Sequence, residues 1–347
     1  MPSKYIRKGR PVNAPSGRKL PPTGTDADLN LASMSAMFSD EDKAREFLES
    51  QLWPEGPVCP HCGEHGGYKL TSHGATEGKR PMRKGVYKCK GCRKQFTVRV
   101  GTIFEESKLP LRKWLMAIHL MTSSKKGVSS HQLSRELDCT LKTAWFLSHR
   151  IRECMKLEPM AGMLAGVVEA DECYIGGKPR RKNNGPRPGI RGAGTPKEPV
   201  SVLVERDGTA ICRPIPDVSH NELRREAKHF VAQNSTLMTD DSSIYQGSSE
   251  HFAGGHHTVK HSRGEYARKL ESGLVAHNNT AESFFALLKR GHYGIFHQLS
   301  KKHLSRYCDE FAFRWKHRKT SDGQRMVAAI NGSDGKRLMY REPIPKS

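Results

Sequence analysis

Two groups of residues in this 347-residue sequence have the types and spacing of chemistry. The first is a pair of Cys-x-x-Cys units, Cys59 with Cys62 and Cys89 with Cys92. Two such pairs at this separation form two tight knuckles whose four thiolates enclose one tetrahedral ion, which is the pattern of a zinc ribbon. A ligand set closed by four sulfurs is structural, and the ion stabilises a module too small for a core of its own. His61 and His65 lie close by, but the shell is complete without them. The second group is acidic. The stretch "GVVEADECYIGG" begins as a buried strand and then sets Glu169, Asp171 and Glu172 within four positions. Asp240 ends a later apolar stretch, and Glu282 falls early in a segment of helical period. Asp171, Asp240 and Glu282 each sit where an element meets a loop, which is where functional side chains collect. Carboxylates suit hard cations such as Mg2+. Two such ions, about 3.5–4 Å apart, clamp the attacking and leaving oxygens of an in-line displacement. The chemistry expected is therefore phosphoryl transfer.

Several neighbours compete for these roles. Asp241 competes with Asp240, and the spacing to Tyr245 favours Asp240. Glu169 shares a strand face with Asp171 at i, i+2, as a ligand or a supporting acid, while Glu172 faces the other way as a bystander. Cys173 is a small strand residue rather than an activated nucleophile. His256 and His257 would point to opposite faces of a strand. No GxxxxGK[ST] loop is present to cradle a nucleoside triphosphate.

The composition supports an anionic partner. The formal net charge is +22, with 35% hydrophobic residues. An excess this large points to nucleic acid, and double-stranded DNA is the partner expected. No apolar run reaches the length of a membrane span, and no amphipathic basic helix stands at a terminus. The basic N-terminus lacks the apolar stretch of a signal peptide. A cytoplasmic, nucleoid-associated protein without a membrane partner is expected, in which paired cysteines mean metal rather than disulfides.

The elements that must position these groups follow from periodicity and punctuation. Residues 1–30 read as a disordered basic arm and 31–56 as an N-terminal helix, with Ser39 to Asp42 as a helix start. The ribbon spans 57–104. Residues 108–158 read as three amphipathic helices with a tight turn between the last two, which resembles a helix-turn-helix. Lys142, Thr143, Arg150 and Arg152, with Ser148 and His149, decorate its last helix and would contact DNA. The plain alternative is a three-helix packing module. Residues 164–320 carry strands first and then alternating elements, including an Asp207-Gly208 hairpin turn, and predict an α/β (α+β) domain on a central mixed sheet. A basic insert loop spans 177–199, and a C-terminal tail spans 321–347.

The blocks "VVEADECYIGGK", "LMTDDSSIY" and "HNNTAESFFALLKRGHYGIF", with "WPEGPVCPHCG" and "YKCKGCRKQF" upstream, resemble those of bacterial insertion-sequence DDE transposases with an N-terminal zinc ribbon and an ISXO2-like domain. The resemblance runs from about Phe38 to Lys319. It implies a ribonuclease H-like fold, a catalytic triad of Asp171, Asp240 and Glu282 holding Mg2+ (or Mn2+), and structural Zn2+ on the four cysteines. It also implies a helper lysine two helical turns after the third acid, here Lys289. Some members of that group carry Asn as the third ligand, which leaves Asn278 and Asn279 open, with Asn279 alternatively a helix cap. The implied activity is DNA cleavage at terminal inverted repeats and strand transfer by a homodimer or larger synaptic complex. A domesticated DNA-binding protein and a structure-specific nuclease are the rival readings.

Overall fold

The computed structural model describes residues 29–71, 84–157, 162–176, 197–241, 245, 249–260 and 263–340, leaving aside the side chains of Leu31 and Met37. The basic arm up to residue 28, residues 177–196 of the insert loop and the last seven residues of the tail lie outside them, while residues 198 and 199, read as the end of that loop, already belong to a strand. The chain divides into two compact units, Met1–Met155 with Thr320–Ser347, and Lys156–Lys319.

In the first unit the N-terminal helical segment is two helices. These are α1 (Leu31–Met37), capped by Asn30, and α2 (Glu41–Leu52), capped by the Asp40 carboxylate on the Asp42 amide. Strands β1 (Gly67–Lys69), β2 (Tyr87–Cys89) and β3 (Gln95–Phe96) form a small antiparallel sheet in that order. Its core is short: Tyr87 and Phe96 stack at 5.9 Å, and Trp53 meets both edge-on. That is a small core for a module of this size.

Helices α3 (Leu111–Ser123), α4 (Ser130–Glu136) and α5 (Leu141–Met155) follow. Leu111, Trp114, Leu115, Ile118 and Met121 are all buried, as their 3.6-residue period requires. Pro110 cannot cap α3 with a side chain, so Glu41 of α2 accepts from the Leu111 and Arg112 amides at 2.7 and 3.3 Å. The segment after Thr320 is no free tail. It forms α9 (Asp322–Asn331), opened by a Ser321–Gln324 capping box and packed on α2, α3 and α5. Gly332 ends that helix where an added Cβ would meet the Cys154 carbonyl oxygen at 2.3 Å, so only glycine lets α9 end against α5.

The second unit is built on a five-stranded mixed sheet. Strands β4 (Val167–Ile175), β5 (Glu198–Glu205) and β6 (Ala210–Pro214) are antiparallel neighbours, with Asp207 and Gly208 in the turn between β5 and β6. After α6 (His220–Phe230), β7 (Thr236–Asp240) pairs parallel to β4, and β8 (His256–Val259) pairs parallel to β7. The strand order is therefore β6-β5-β4-β7-β8. An antiparallel three-strand meander followed by a crossover to parallel strands on the far side of the first is the ribonuclease H-like arrangement. A short hairpin, β9 (Arg268–Lys269) with β10 (Val275–Ala276), precedes α7 (Asn279–Gly291), a π turn at His292–Phe296 and α8 (Leu304–Lys316).

Alternation assigns the faces. Val168 and Ala170 of β4 join Leu203, Ile211 and Leu237 under α6. Cys173 and Ile175 join Val200, Val202, Val204 and Cys212 under α7 and α8, which contribute Ala281, Phe284, Phe285, Leu288, Cys308 and Phe311. Both faces are covered, which is why the central strand carries few polar residues except at the site.

Candidate active site and metal centre

The pairing of β4 with β7 runs from Val167–Thr236 to Glu169–Met238. Continued by two residues it sets Asp240 level with Asp171. In-register residues of parallel strands share a face, and Val168 and Leu237 do lie together under α6. Asp171 and Asp240 therefore both turn to the α7 face, at the carboxyl ends of two parallel strands. In the sheet order β5 lies beyond β4 on one side and β8 beyond β7 on the other. Such a switch point opens a crevice that open α/β sheets use for ligands.

The electrostatics mark the same place. Asp171 is pushed up to about 7, chiefly by burial and then by the carboxylates of Glu172 and Asp240. The Glu172 amide, which donates to Asp171 Oδ1 at 2.8 Å, and the Lys289 ammonium oppose that rise. Burial also raises Glu172, against a hydrogen bond from the Tyr245 hydroxyl at 3.0 Å, and Asp240 adds to the rise. Carboxylates crowded in this way, with oxygen donors only, suit a hard divalent cation. Burial likewise raises the Cys173 thiol, which leaves it no nucleophile.

Helix α7 supplies the rest. Ala281, Phe284, Phe285 and Leu288 are buried against the sheet, whereas Glu282 and Lys289 are exposed beside them. Lys289 Nζ lies 5.8 Å from the Phe285 ring centre, and its charge reaches Asp171. Among the described residues, only the four cysteines form a group of three or more potential ligands whose atoms lie within 4.8 Å of one another. Asp171 and Asp240 therefore share one face of the sheet without closing into a cluster that tight, and Glu282 lies exposed in the first turn of α7.

One reading of the neighbouring residues needs correction, and one open alternative narrows. Asn279 is not the cap of α7; Asn278 holds the N-cap position, makes no side-chain cap bond, and donates Nδ2 to the Ala170 carbonyl at 3.3 Å. Of the two roles open to Glu169, ligand or supporting acid, its contacts fit the second. It is fully buried, and its carboxylate is taken up by Arg206, Thr280 and Ala281. Neither fact was readable from the sequence, because Ala170 lies 108 residues from Asn278, and the partners of Glu169 lie 37 residues away at Arg206 and 111 at Thr280. Glu172, read as a bystander, is tied to Tyr245, and His256 Nε2 is 2.9 Å from the Thr239 hydroxyl one residue before Asp240.

In the first unit, Cys59 and Cys92 Sγ lie 3.6 Å apart, and Cys62 and Cys89 Sγ 3.5 Å apart. A tetrahedral zinc–sulfur bond of about 2.3 Å sets sulfurs roughly 3.8 Å apart, so this donor set fits Zn2+. Gly63 N–H donates to the Cys59 carbonyl and Cys89 N–H to that of Lys94, which shapes the two knuckles. The Glu64 amide helps lower Cys62 to about 7, whereas burial pushes Cys59 up to about 12.

The DNA-contact residues expected on α5 separate into two groups. Lys142 and Thr143, in its first turn, are exposed. Arg150 and Arg152 are 6% and 1% exposed and cannot reach a groove without unpacking the helix. Arg150 lies over the Trp114 and Phe146 rings and donates to the Glu105 carbonyl at 2.7 Å, and burial lowers it to about 10. Arg152 donates to Ser148 Oγ at 3.0 Å. The face they occupy is covered because α3 and α9 close over the C-terminal half of α5.

Comparisons with known proteins identify the family of the two domains. The model of the ISXO2-like transposase domain matches residues 163–316, and that of the transposase zinc-ribbon domain matches residues 39–95. A protein of Halobacterium salinarum described as an uncharacterized protein in transposable element ISH50 is 31% identical over 291 residues, 80% of this chain and 91% of that one. Among solved structures, a Mos1 transposase paired-end complex is 15% identical with a TM-score of 0.22, over 63% of this chain and 79% of that one. A Drosophila P element transposase strand transfer complex is 12% identical with a TM-score of 0.24, over 61% and 58%. Superpositions that loose carry no argument about this chain.

Proposed function

Since the chain belongs to the insertion-sequence transposases in which a zinc ribbon precedes an ISXO2-like domain, we propose that it binds the terminal inverted repeats of its own element, cleaves the DNA there and joins the ends to target DNA. The observation that supports this most is the β4–β7 register, which sets Asp171 beside Asp240 on the face that α7 covers, with the charge of Lys289 in reach. Asp171, Asp240 and Glu282 would hold Mg2+ (or Mn2+). When bound, the ions neutralise charge on the transferring phosphoryl group and lower the barrier to in-line displacement.

The chain's own groups do the rest. Lys289, its stem along Phe285, takes a phosphate oxygen of the bound strand and orients it over Asp171. Tyr245 holds the Glu172 carboxylate away from that strand. Lys142 and Thr143, in the exposed first turn of α5, enter the major groove, since helix-turn-helix readers use the N-terminal residues of the second helix. The reaction is hydrolysis of a phosphodiester at each element end to free a 3′-hydroxyl, which then attacks a target phosphodiester and expels a target 3′-oxygen. Two ends joined together require at least two copies of the chain. The test is a strand-transfer assay on end-bearing DNA with Mg2+. Wild type should yield joined products, and Asp171→Asn should bind the ends and cleave nothing. Cleavage by Asp171→Asn would remove the acid from its assigned role, and cleavage without joining would make the chain a nuclease.

A further inference from the structure

We propose that Glu169, anchored by Arg206, is the positioning residue of this site: a carboxylate from β4 that caps α7 and so sets Glu282 and Lys289 against Asp171. The role within catalysis rests on the reading of the site given above, whereas the cap itself does not.

A helix begins with amide groups that have no partner inside it, and the N-cap side chain ordinarily accepts from those at N2 and N3. In α7 the residue at the N-cap, Asn278, makes no such bond. The N2 and N3 amides are those of Thr280 and Ala281, and both donate to Glu169 Oε2, at 2.7 and 3.1 Å. The Thr280 hydroxyl donates to Oε1 at 2.9 Å. Glu169 thus replaces the cap from a residue 111 positions earlier in the chain. An anion at this end also complements the helix dipole.

Arg206 completes the joint. Its Nε donates to Glu169 Oε1 at 2.6 Å, and its two terminal nitrogens donate to the carbonyls of Val275 and His277 at 2.7 and 3.0 Å. The guanidinium therefore ties the carboxylate to the strand that leads into α7. Arg318 in turn donates to the Arg206 carbonyl at 3.3 Å and to that of Gly208 at 3.0 Å.

A metal role for Glu169 does not fit. Its side chain is 0% exposed. Two carboxylate oxygens offer about four lone-pair sites, and four donors, from Arg206, the Thr280 amide and hydroxyl, and Ala281, already use them. His277 Nδ1 lies a further 3.1 Å away. What Glu169 does hold is distance. Asp171 is two residues along the same strand, and Glu282 is the residue after Ala281. A frayed first turn would let Glu282 drift from the two aspartates, and with it the face that carries Lys289.

Hydrogen exchange on the full-length, zinc-loaded chain without added magnesium tests the joint directly. The variants are Glu169→Gln, whose amide would turn a donor toward Arg206 or the helix, and Arg206→Met, which keeps the capping carboxylate but leaves it without its anchor, free to shift from the helix end. In both, exchange at the Thr280 and Ala281 amides should quicken at least tenfold, while β4, β5 and the second half of α7 keep their rates. In the strand-transfer assay kcat should fall about ten- to a hundredfold, the range for loss of a group supporting a metal ligand, with KM for end DNA unchanged. Unchanged exchange at both amides in the two variants would overturn the cap. Quickened exchange with full kcat would overturn its role in positioning. Exchange that quickens evenly through the sheet, with kcat tracking only the unfolded fraction, would reduce the pair to ordinary fold stability. If Glu169→Gln does not fold, Arg206→Met decides alone. If wild type does not cleave DNA, the reading of the site fails while the exchange data still decide the cap.

Discussion

Replacing Asp171 by asparagine should stabilise the magnesium-free protein while ending its chemistry. The amide side chain would have nearly the same shape and would keep an oxygen for the Glu172 amide, so the change removes charge and little else. In the folded chain the Asp171 carboxyl titrates at about 7 rather than 3.8. At about 1.4 kcal/mol per pH unit, that rise corresponds to roughly 4 kcal/mol. Because the folded form holds a proton that the unfolded chain has lost between those values, stability falls as pH rises from about 3.8 through 7 and is untouched below. The asparagine variant avoids this cost. At pH 8 it should exceed wild type by up to roughly 4 kcal/mol, a ceiling because Asp171 keeps some contact with water, and the difference should fade by pH 4. For a unit of this size each kcal/mol moves the melting point by roughly 2–4 °C. Thermal melts at pH 4 to 8 without chelator, which would strip the ribbon, read the effect. Added Mg2+ should raise the wild-type melting point at pH 8 and leave that of the variant nearly unmoved. A variant no more stable than wild type at pH 8, or equally favoured at pH 4, would refute the argument from carboxylate crowding.

Three further outcomes concern the first unit. Lys142→Ala should weaken DNA binding uniformly across sequences and reduce the slope of log K against log salt by about one, with an unchanged melting point. Arg150→Met should instead lower the melting point, by about 1–3 kcal/mol of stability, because that guanidinium lies inside the fold. A salt titration and a melt on each variant separate the two roles. Cys62→Ser should release the bound zinc, read as metal content falling from one to below one per chain, and unfold the ribbon sheet by circular dichroism. Full zinc retention would show that another residue completes the shell.

How much was legible in advance depends on the range of each interaction. The two Cys-x-x-Cys units, the Asp207-Gly208 turn and the apolar period of α3 and α7 are local patterns, and their local structure followed them. The two faces of β4 were legible for the same reason: alternation alone separates Glu169 and Asp171 from Glu172. The α5 arginines were misread because period places a residue on a helix face but does not say whether that face is covered. Here α9, formed by a segment read as a tail, returns from far along the chain to cover it. The cap of α7 was misread in the same way: the sequence offers two asparagines beside the helix start, and the carboxylate that caps it comes from another strand.

Residue types and local spacing were enough to set which groups are available and which of them share a face: four thiols for one ion, oxygen donors for hard cations, and a lysine seven residues after Glu282. The assembled fold settled how Asp171 sits against Asp240, which acid holds the helix, and which basic residues remain exposed. Those outcomes depend on strand register and on helices packed from distant segments, because burial and hydrogen-bond partners belong to the assembled chain rather than to any stretch of it.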